Sequence, residues 1–216
     1  MKIIILHLSD MHFYDKKNFS ITNVQRITDA INRLSSGVKH VLIIISGDLA
    51  YSGKKEQYKQ VKIFLDYLEN YLKSRYEINQ VDFIVFPGNH DVDYDKGDWG
   101  HDCLEEICKS QIYENFVEEE LEKQREFYVF ARQYGCFSND KVIYRKIIKY
   151  GSKYMRINLI NTAIFSSLDE DQGYHYLSNE DIQFLSEQSN SDFVIAVMHH
   201  PHHWFSSQCK KVRGCW

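Results

Sequence analysis

Four short clusters of carboxylate, amide and imidazole side chains stand out in the sequence. The clusters are Ser9-Asp10-Met11-His12, Gly47-Asp48, Gly88-Asn89-His90-Asp91 and His199-His200-Pro201. Mixed oxygen and nitrogen ligands of these types suit manganese, iron or zinc better than calcium. Each motif taken alone is equally compatible with a capped turn, so only their combination points to a metal site.

The spacing within the clusters indicates how such a site would work. Asp10 and His12 alternate with Met11, so in an extended segment both side chains would point the same way and bind one cation. Gly88 permits an unusual backbone and Asn89 offers a neutral oxygen ligand. The following pair, His90 and Asp91, would supply an acid and a carboxylate that orients it.

Each cluster follows directly on a short apolar run that predicts a strand. The runs are residues 3–8, 41–45, 83–86 and 193–198. Their β-branched and aromatic composition is typical of strands buried on both faces of a sheet. Since parallel α/β sheets carry their sites beyond the carboxyl ends of the strands, the four clusters are expected to converge on one rim.

Helical periodicity lies between the runs. Val24, Ile27, Ile31 and Leu34 predict one apolar face of a helix near 20–35, and a similar pattern predicts a helix near 55–73. Strand–helix–strand alternation of this kind predicts a largely parallel first sheet.

The second half of the chain does not continue the regular alternation of strand and helix patterns. Residues 93–135 interrupt the alternation and would form either a lid or substrate wall, or a solvated helix near 113–134 that covers the sheet edge. Residues 142–148 and 154–160 flank a turn and predict a hairpin. Ser178 and Asp181 form a capping box that would open a short helix to about residue 188. We expect one domain over residues 1–216.

Composition excludes several classes of protein. The chain has 216 residues, 44% apolar and 26% charged, with a net charge of -4, which argues against broad binding of nucleic acid. Five irregularly spaced cysteines do not predict a disulfide framework. No apolar run approaches the roughly 18 residues of a membrane span. We therefore expect a soluble cytoplasmic protein with no membrane association.

The order and spacing of the four clusters resemble the calcineurin-like metallophosphoesterase family. The match runs from residue 3 to about residue 201 and includes the longer segment Gly47-Asp48-Leu49-Ala50-Tyr51-Ser52-Gly53, while the middle third has no matching motif. The resemblance implies an α/β fold, a four-layer α-β-β-α sandwich with two mixed sheets. It also implies two-metal-dependent hydrolysis of phosphate esters.

The resemblance implies a metal-binding role for five of the motif residues. Asp10 and His12 would bind a first divalent cation, and Asp48 would bridge it to a second. Asn89 and His199 would bind the second cation, which like the first would be manganese, iron or zinc. Two such cations would offset the phosphoryl charge and activate a water molecule.

The remaining motif residues would act on the substrate or support the site. His90 would contact the substrate phosphate or protonate the leaving group, and Asp91 would orient His90. His200 is expected to be the weaker ligand candidate of its pair. His7 is expected to be a core or edge histidine, and His40, His101 and His175 to be structural or exposed.

The sequence departs from the family pattern after residue 201. A Gly-His-x-His segment that would complete both metal shells is absent, and residues 204–216 have no strand or helix periodicity. We expect a truncated member of the family, with an incomplete second sheet and an exposed edge open to a partner or to self-association. The alternative is a short active form in which substitute ligands serve, the candidates being His202, His203, Cys209 and Cys215.

Three functions are therefore compared. The first is hydrolysis of a small phosphate ester, with a phosphodiester or nucleotide favoured over a protein phosphate. The second is a non-catalytic metal-binding fragment or pseudoenzyme, which the missing histidines favour. The third is a metal-dependent nuclease, which the acidic balance disfavours.

Overall fold

Two three-stranded sheets form the centre of the fold. The computed structural model describes residues 2–15, 21–32, 34, 36–98, 113–136, 142–168 and 172–206. The first sheet has the order β1-β2-β3 and is parallel throughout its described strands. Its strands are β1 (Ile4–Leu8), β2 (His40–Ser46) and β3 (Gln80–Phe86). All three strands that the sequence predicts here are confirmed.

The second sheet is mixed and has the order β4-β5-β6. Its strands are β4 (Ile143–Tyr150), β5 (Lys153–Ile160) and β6 (Phe193–Val197). Strands β4 and β5 form the predicted antiparallel hairpin, and β6 lies parallel to β5. Gly151 has φ 63° in the hairpin turn, a value that glycine adopts without a steric cost.

The core lies between the two sheets and continues under the helices. One apolar cluster contains Ile43 and Val85 of the first sheet together with Ile157 and Leu159 of the second. The helices are α1 (Ile21–Asn32), α2 (Lys55–Tyr76), α3 (Tyr113–Lys123), α4 (Arg125–Ala131) and α5 (Asn179–Ser186). This α/β arrangement is the sandwich that the sequence predicts.

Helix α2 buries one face against the first sheet, as its periodicity predicts. Val61, Leu65, Leu68 and Leu72 are fully buried within the same cluster as the strands. Burying a leucine side chain stabilises the fold by about 1.5–3 kcal/mol. The helix therefore fixes the loop that precedes it, which runs from the end of β2 past Asp48.

Two details of the predicted helices are wrong. Helix α1 ends at Asn32, so Leu34 lies beyond it and is 66% exposed instead of completing the apolar face. Residues 113–134 do not form one continuous helix. The helix is interrupted at Gln124, whose backbone is not helical, and this divides it into α3 and α4. Helix α5 begins at the predicted capping box, in which Ser178 Oγ accepts a hydrogen bond from Asp181 N (3.1 Å).

The outer strands are less buried than their composition predicts. Strand β2 is buried along its whole length, but Ile5 of β1 is 44% exposed. Phe193 and Val194 of β6 are 58% and 50% exposed. Both strands lie at the end of the described strand order, so the prediction that they are buried on two faces is wrong.

No described helix is long and apolar enough to cross a membrane.

Candidate metal centre

The carboxyl ends of β1 and β2 continue side by side into the loops that carry the first candidate ligands. His12 N donates to Asp48 O (2.9 Å), and Phe13 N donates to Leu49 O (2.8 Å). These bonds extend the parallel pairing of the two strands beyond their regular part. Asp10, His12 and Asp48 are therefore brought together on the rim that the strand order predicts.

These three residues share an uncommon backbone conformation. Asp10, His12 and Asp48 have φ values of 55°, 46° and 56°, and they are three of the four described non-glycine residues with a left-handed backbone. Such a conformation costs about 1–3 kcal/mol per residue and is found where a site requires it. The expectation that residues 10–12 are extended is wrong, because their left-handed backbone turns consecutive side chains differently.

Two groups of candidate ligands in the described chain share the carboxylate of Asp48. One group is His12, Asp48 and His90, and the other is Asp10, Asp48 and His199, with the ligand atoms of each group within 4.8 Å of one another. Asp10 and His12 fall in different groups, and each group includes Asp48. Asp48 stands between the groups, where a bridging ligand would lie.

Asp48 is buried and each of its oxygens faces a different imidazole. Its side chain is 4% exposed, with Oδ1 lying 3.4 Å from His199 Nε2 and Oδ2 lying 3.7 Å from His12 Nε2. The Oδ1 atom also accepts a hydrogen bond from His90 N (3.0 Å). An ionised carboxylate removed from water in this way requires compensating charge.

His199 is oriented so that a lone pair faces two oxygen acceptors. Its Nδ1 donates to Ser46 O (2.8 Å), so in the neutral ring Nε2 carries no hydrogen. Nε2 lies 3.0 Å from Asn89 Oδ1 and 3.4 Å from Asp48 Oδ1. In that tautomer three acceptors face one another, an arrangement that a proton on Nε2 or a bound cation would stabilise, and this donor set fits a divalent metal.

The other two histidines are also free to bind through one nitrogen. His90 Nδ1 donates to the carbonyl oxygen of Tyr51 (2.7 Å), which leaves Nε2 with its lone pair. The Nδ1 atom of His12 is buried without a hydrogen-bond partner. The two rings lie 4.5 Å apart between centroids in an edge-to-face arrangement. Both sides of Asp48 therefore have nitrogen donors suited to a cation.

Asp91 holds the site loops together. It was expected to orient His90, but its hydrogen bonds go to other groups. Its carboxylate accepts hydrogen bonds from Ala50 N (2.9 Å), Leu49 N (3.2 Å), Gly88 N (3.0 Å) and Tyr58 Oη (2.9 Å). The orienting contact to His90 comes from the Tyr51 carbonyl instead. Burial and the neighbouring Asp48 carboxylate raise the pKa of Asp91 from 3.8 to about 6, against the opposing effect of its hydrogen bonds.

Two glycines provide the space in which the ligands pack. A Cβ at Gly88 would overlap Asp48 Oδ1 and lie 2.6 Å from Asp48 N. A Cβ at Gly47 would overlap the His199 ring and lie 2.9 Å from Gly88 Cα. Both glycines belong to the predicted motifs, but the space that they leave for their neighbours is a tertiary feature that no sequence pattern indicates.

The other described histidines lie outside the two ligand groups. His200 is buried beside Thr162 Oγ1 (3.0 Å from its Nδ1) and stacks on His175 and Trp204. Burial and the nearby His175 and His199 lower the pKa of His200. His7 Nε2 contacts Ser46 Oγ (2.7 Å), and His40 Nε2 contacts Asp82 Oδ2 (2.6 Å) between β2 and β3.

Substitute ligands are not brought to Asp48 in the described part of the chain. His202 and His203 lie in a short 3₁₀ helix, His202–Trp204, and are exposed. Neither belongs to the two ligand groups among the described residues. His101, Cys209 and Cys215 lie outside the described residues.

A cavity of about 390 Å³ opens beside the ligands. Asn89 and His90 form its border with the metal centre, and Tyr51, Tyr94 and Leu168 contribute to its walls. Small ligands are bound in pockets of about 300–1,000 Å³. The cavity is therefore large enough for the organic part of a small substrate.

The comparison with known protein families agrees with this geometry. The family model for calcineurin-like phosphoesterases matches residues 3–215, nearly the whole chain. No curated protein matches the sequence. The match covers every strand and every ligand candidate described above.

We predict that Gly88→Ala greatly weakens metal binding. The added Cβ would displace the Asp48 carboxylate, whereas the φ of Gly88 (-111°) accommodates alanine without strain. Calorimetric titration with Mn²⁺ should show an affinity lower by about 100-fold. This is the upper end of the range found when a residue that positions a metal ligand is substituted.

Gly37→Ala is the matched control, because its Cβ would have nothing within 4 Å although its φ is +72°. This variant should bear backbone strain and still bind Mn²⁺ as the wild type does. Wild-type affinity in a folded Gly88→Ala protein would contradict the position assigned to Asp48.

We predict that the Asp91 carboxyl group of the metal-free protein titrates near pH 6. Its pKa is raised on folding, so the stability that this group contributes is present below pH 4 and is lost as the pH rises through about 6. Carboxyl carbon NMR, assigned with Asp91→Asn, measures the midpoint. A midpoint below 4 would show that the hydrogen bonds outweigh burial.

Proposed function

We propose that this chain, which belongs to the calcineurin-like phosphoesterase family, hydrolyses phosphate esters with two divalent cations bound on either side of Asp48. The observation that carries the proposal is the convergence of two ligand groups on one buried carboxylate. Asp48 would be a ligand common to both cations, in a site that would stabilise the charge of the reacting phosphoryl group.

The ligands divide into two sets around the bridging residue. We assign His12 to the first cation, and Asn89 and His199 to the second, with Asp48 shared. Asp10 lies in the group that contains His199, so we assign it to the second cation rather than the first. Manganese, iron or zinc suits these oxygen and nitrogen donors. When bound, the cations offset the phosphoryl charge and activate water.

We propose that His90 acts on the substrate. It borders both the ligand cluster and the adjacent cavity, and Tyr51 fixes the proton on Nδ1 so that Nε2 faces outward. We propose that Nε2, when protonated, donates a hydrogen bond to a phosphoryl oxygen or gives its proton to the leaving oxygen. Asp91 supports the reaction indirectly, because it holds the loops at residues 49–50 and 88 in register.

We propose a phosphodiester or a nucleotide as the substrate in preference to a phosphorylated protein. The cavity beside His90, of about 390 Å³, has room for one organic group of a small ester. Family likeness alone does not identify the substrate, because one fold hosts many activities.

We predict that Asp48→Asn lowers the hydrolysis of bis-p-nitrophenyl phosphate in the presence of Mn²⁺ by roughly 1,000-fold, because metal-assisted stabilisation of several kcal/mol is lost. The control is Asp66→Asn, which removes the same charge from the exposed Lys62–Asp66 pair on α2. This control should retain wild-type turnover.

Measurements of Mn²⁺ binding and DNA binding, made beside the hydrolysis assay, separate the competing functions. Mn²⁺ binding to the wild type without turnover would overturn hydrolysis in favour of a non-catalytic metal-binding protein. DNA binding with a steep salt dependence, together with strand cleavage, would favour a nuclease. Equal activity in Asp48→Asn and wild type would contradict the bridging role.

A further inference from the structure

The cavity beside His90 carries an acidic balance of charge close to the candidate metal centre. Its charged lining residues are Lys54, Asp93 and Asp95. Lys54 Nζ donates to Asp93 Oδ1 and to Asp95 Oδ2, the second contact being 2.6 Å long. Among the described lining residues one ammonium group is thus engaged by two carboxylates, which leaves these residues with an excess of negative charge.

The ion pairs hold Lys54 away from any role as a phosphate ligand. Although burial lowers the pKa of Lys54, its hydrogen bonds to Asp93 and Asp95 raise it above the ordinary value. The ammonium group therefore stays protonated and bound to the carboxylates. Asp93 is largely buried, whereas the Asp95 side chain is 85% exposed at the rim.

The loop that carries these carboxylates is fixed in place. Asp93 N donates to Lys123 O of α3 (3.0 Å), and Asp93 Oδ1 accepts from Asp95 N (3.2 Å). Lys96 Nζ donates to Glu122 O (2.7 Å), which ties the same loop to α3 a second time. The acidic wall, formed by Asp93 and Asp95 with Lys54, is therefore held in a fixed position in the cavity.

Apart from Asn89 and His90 at the metal centre, the other described lining residues are apolar, aromatic or hydroxylic. Tyr51, Tyr94, Val92 and Leu168 provide rings and aliphatic surface, and Ser52 and Ser167 provide hydroxyl groups. Such walls accept an uncharged or cationic organic group, whereas a second anionic group would face Asp93 and Asp95 at unfavourable energy.

We propose that this cavity selects phosphate esters whose organic group is uncharged or cationic, and rejects those carrying a further negative charge. The inference rests on the proposed function, because it assumes that the phosphoryl group binds at the neighbouring metal centre. It narrows the substrate class to esters with a single phosphoryl group, such as a small diester or a nucleoside monophosphate. Asp95 is the specificity-determining residue that is open to test.

The test uses three small phosphate monoesters as probes of the cavity. Phosphocholine, ethyl phosphate and phosphoglycolate differ in the charge of the organic group. Their affinities for the Mn²⁺-loaded protein are measured by calorimetry at low ionic strength. Phosphoglycolate should bind about tenfold more weakly than phosphocholine, with ethyl phosphate between them, since nearby charges act strongly where solvent screening is incomplete.

Asp95→Asn should reduce the ratio of the two affinities by about threefold, and Asp95→Lys should abolish or reverse it. Asp66→Asn is the control for a change in net charge and should leave the ratio unaltered. An unchanged ratio in Asp95→Lys, tighter binding of phosphoglycolate to the wild type, or no binding of any probe would overturn the inference.

Failure of this inference is distinguishable from failure of the proposed function. Hydrolysis of bis-p-nitrophenyl phosphate without charge selection among the probes would overturn the inference alone. Charge-selective binding without hydrolysis of any ester would support the cavity assignment and contradict the proposed activity.

Discussion

The buried carboxylate of Asp48 is the constraint on which the rest of the site depends. Both of its oxygens face imidazole nitrogens, and Oδ1 also accepts a hydrogen bond from the backbone N–H of His90. A negative charge held at 3% exposure is stable only when positive charge compensates it. Two cations would meet that need and would also relieve the repulsion between His199 Nε2 and the Asn89 oxygen.

The fold meets this constraint through strained backbone and close packing. Asp10, His12 and Asp48 adopt left-handed conformations, and Gly88 leaves room for the Asp48 oxygen. Asp91 offsets part of the strain, because its four hydrogen bonds join the loops after β2 and β3 to Tyr58 of α2. The buried face of α2 thereby links the hydrophobic core to the geometry of the site.

The sequence predicts the strands and the convergence of their ends, because apolar runs and parallel topology leave few alternatives. It does not predict how Asp10 and His12 are turned, since their backbone is set by pairing with residues 47–49. The partner of His90 was missed for a similar reason: the Tyr51 carbonyl is a backbone group that no motif identifies. The acidic wall depends on Lys54 meeting Asp93 and Asp95, a contact across 39 and 41 positions that no local pattern encodes.

Electron paramagnetic resonance of the protein loaded with two equivalents of Mn²⁺ tests the central claim most directly. If Asp48 is shared by two cations about 3.5–4 Å apart, the ions must be magnetically coupled and the spectrum will be that of an exchange-coupled pair. The spectrum of isolated, uncoupled Mn²⁺ at full occupancy would contradict the shared carboxylate and the two-metal account built on it.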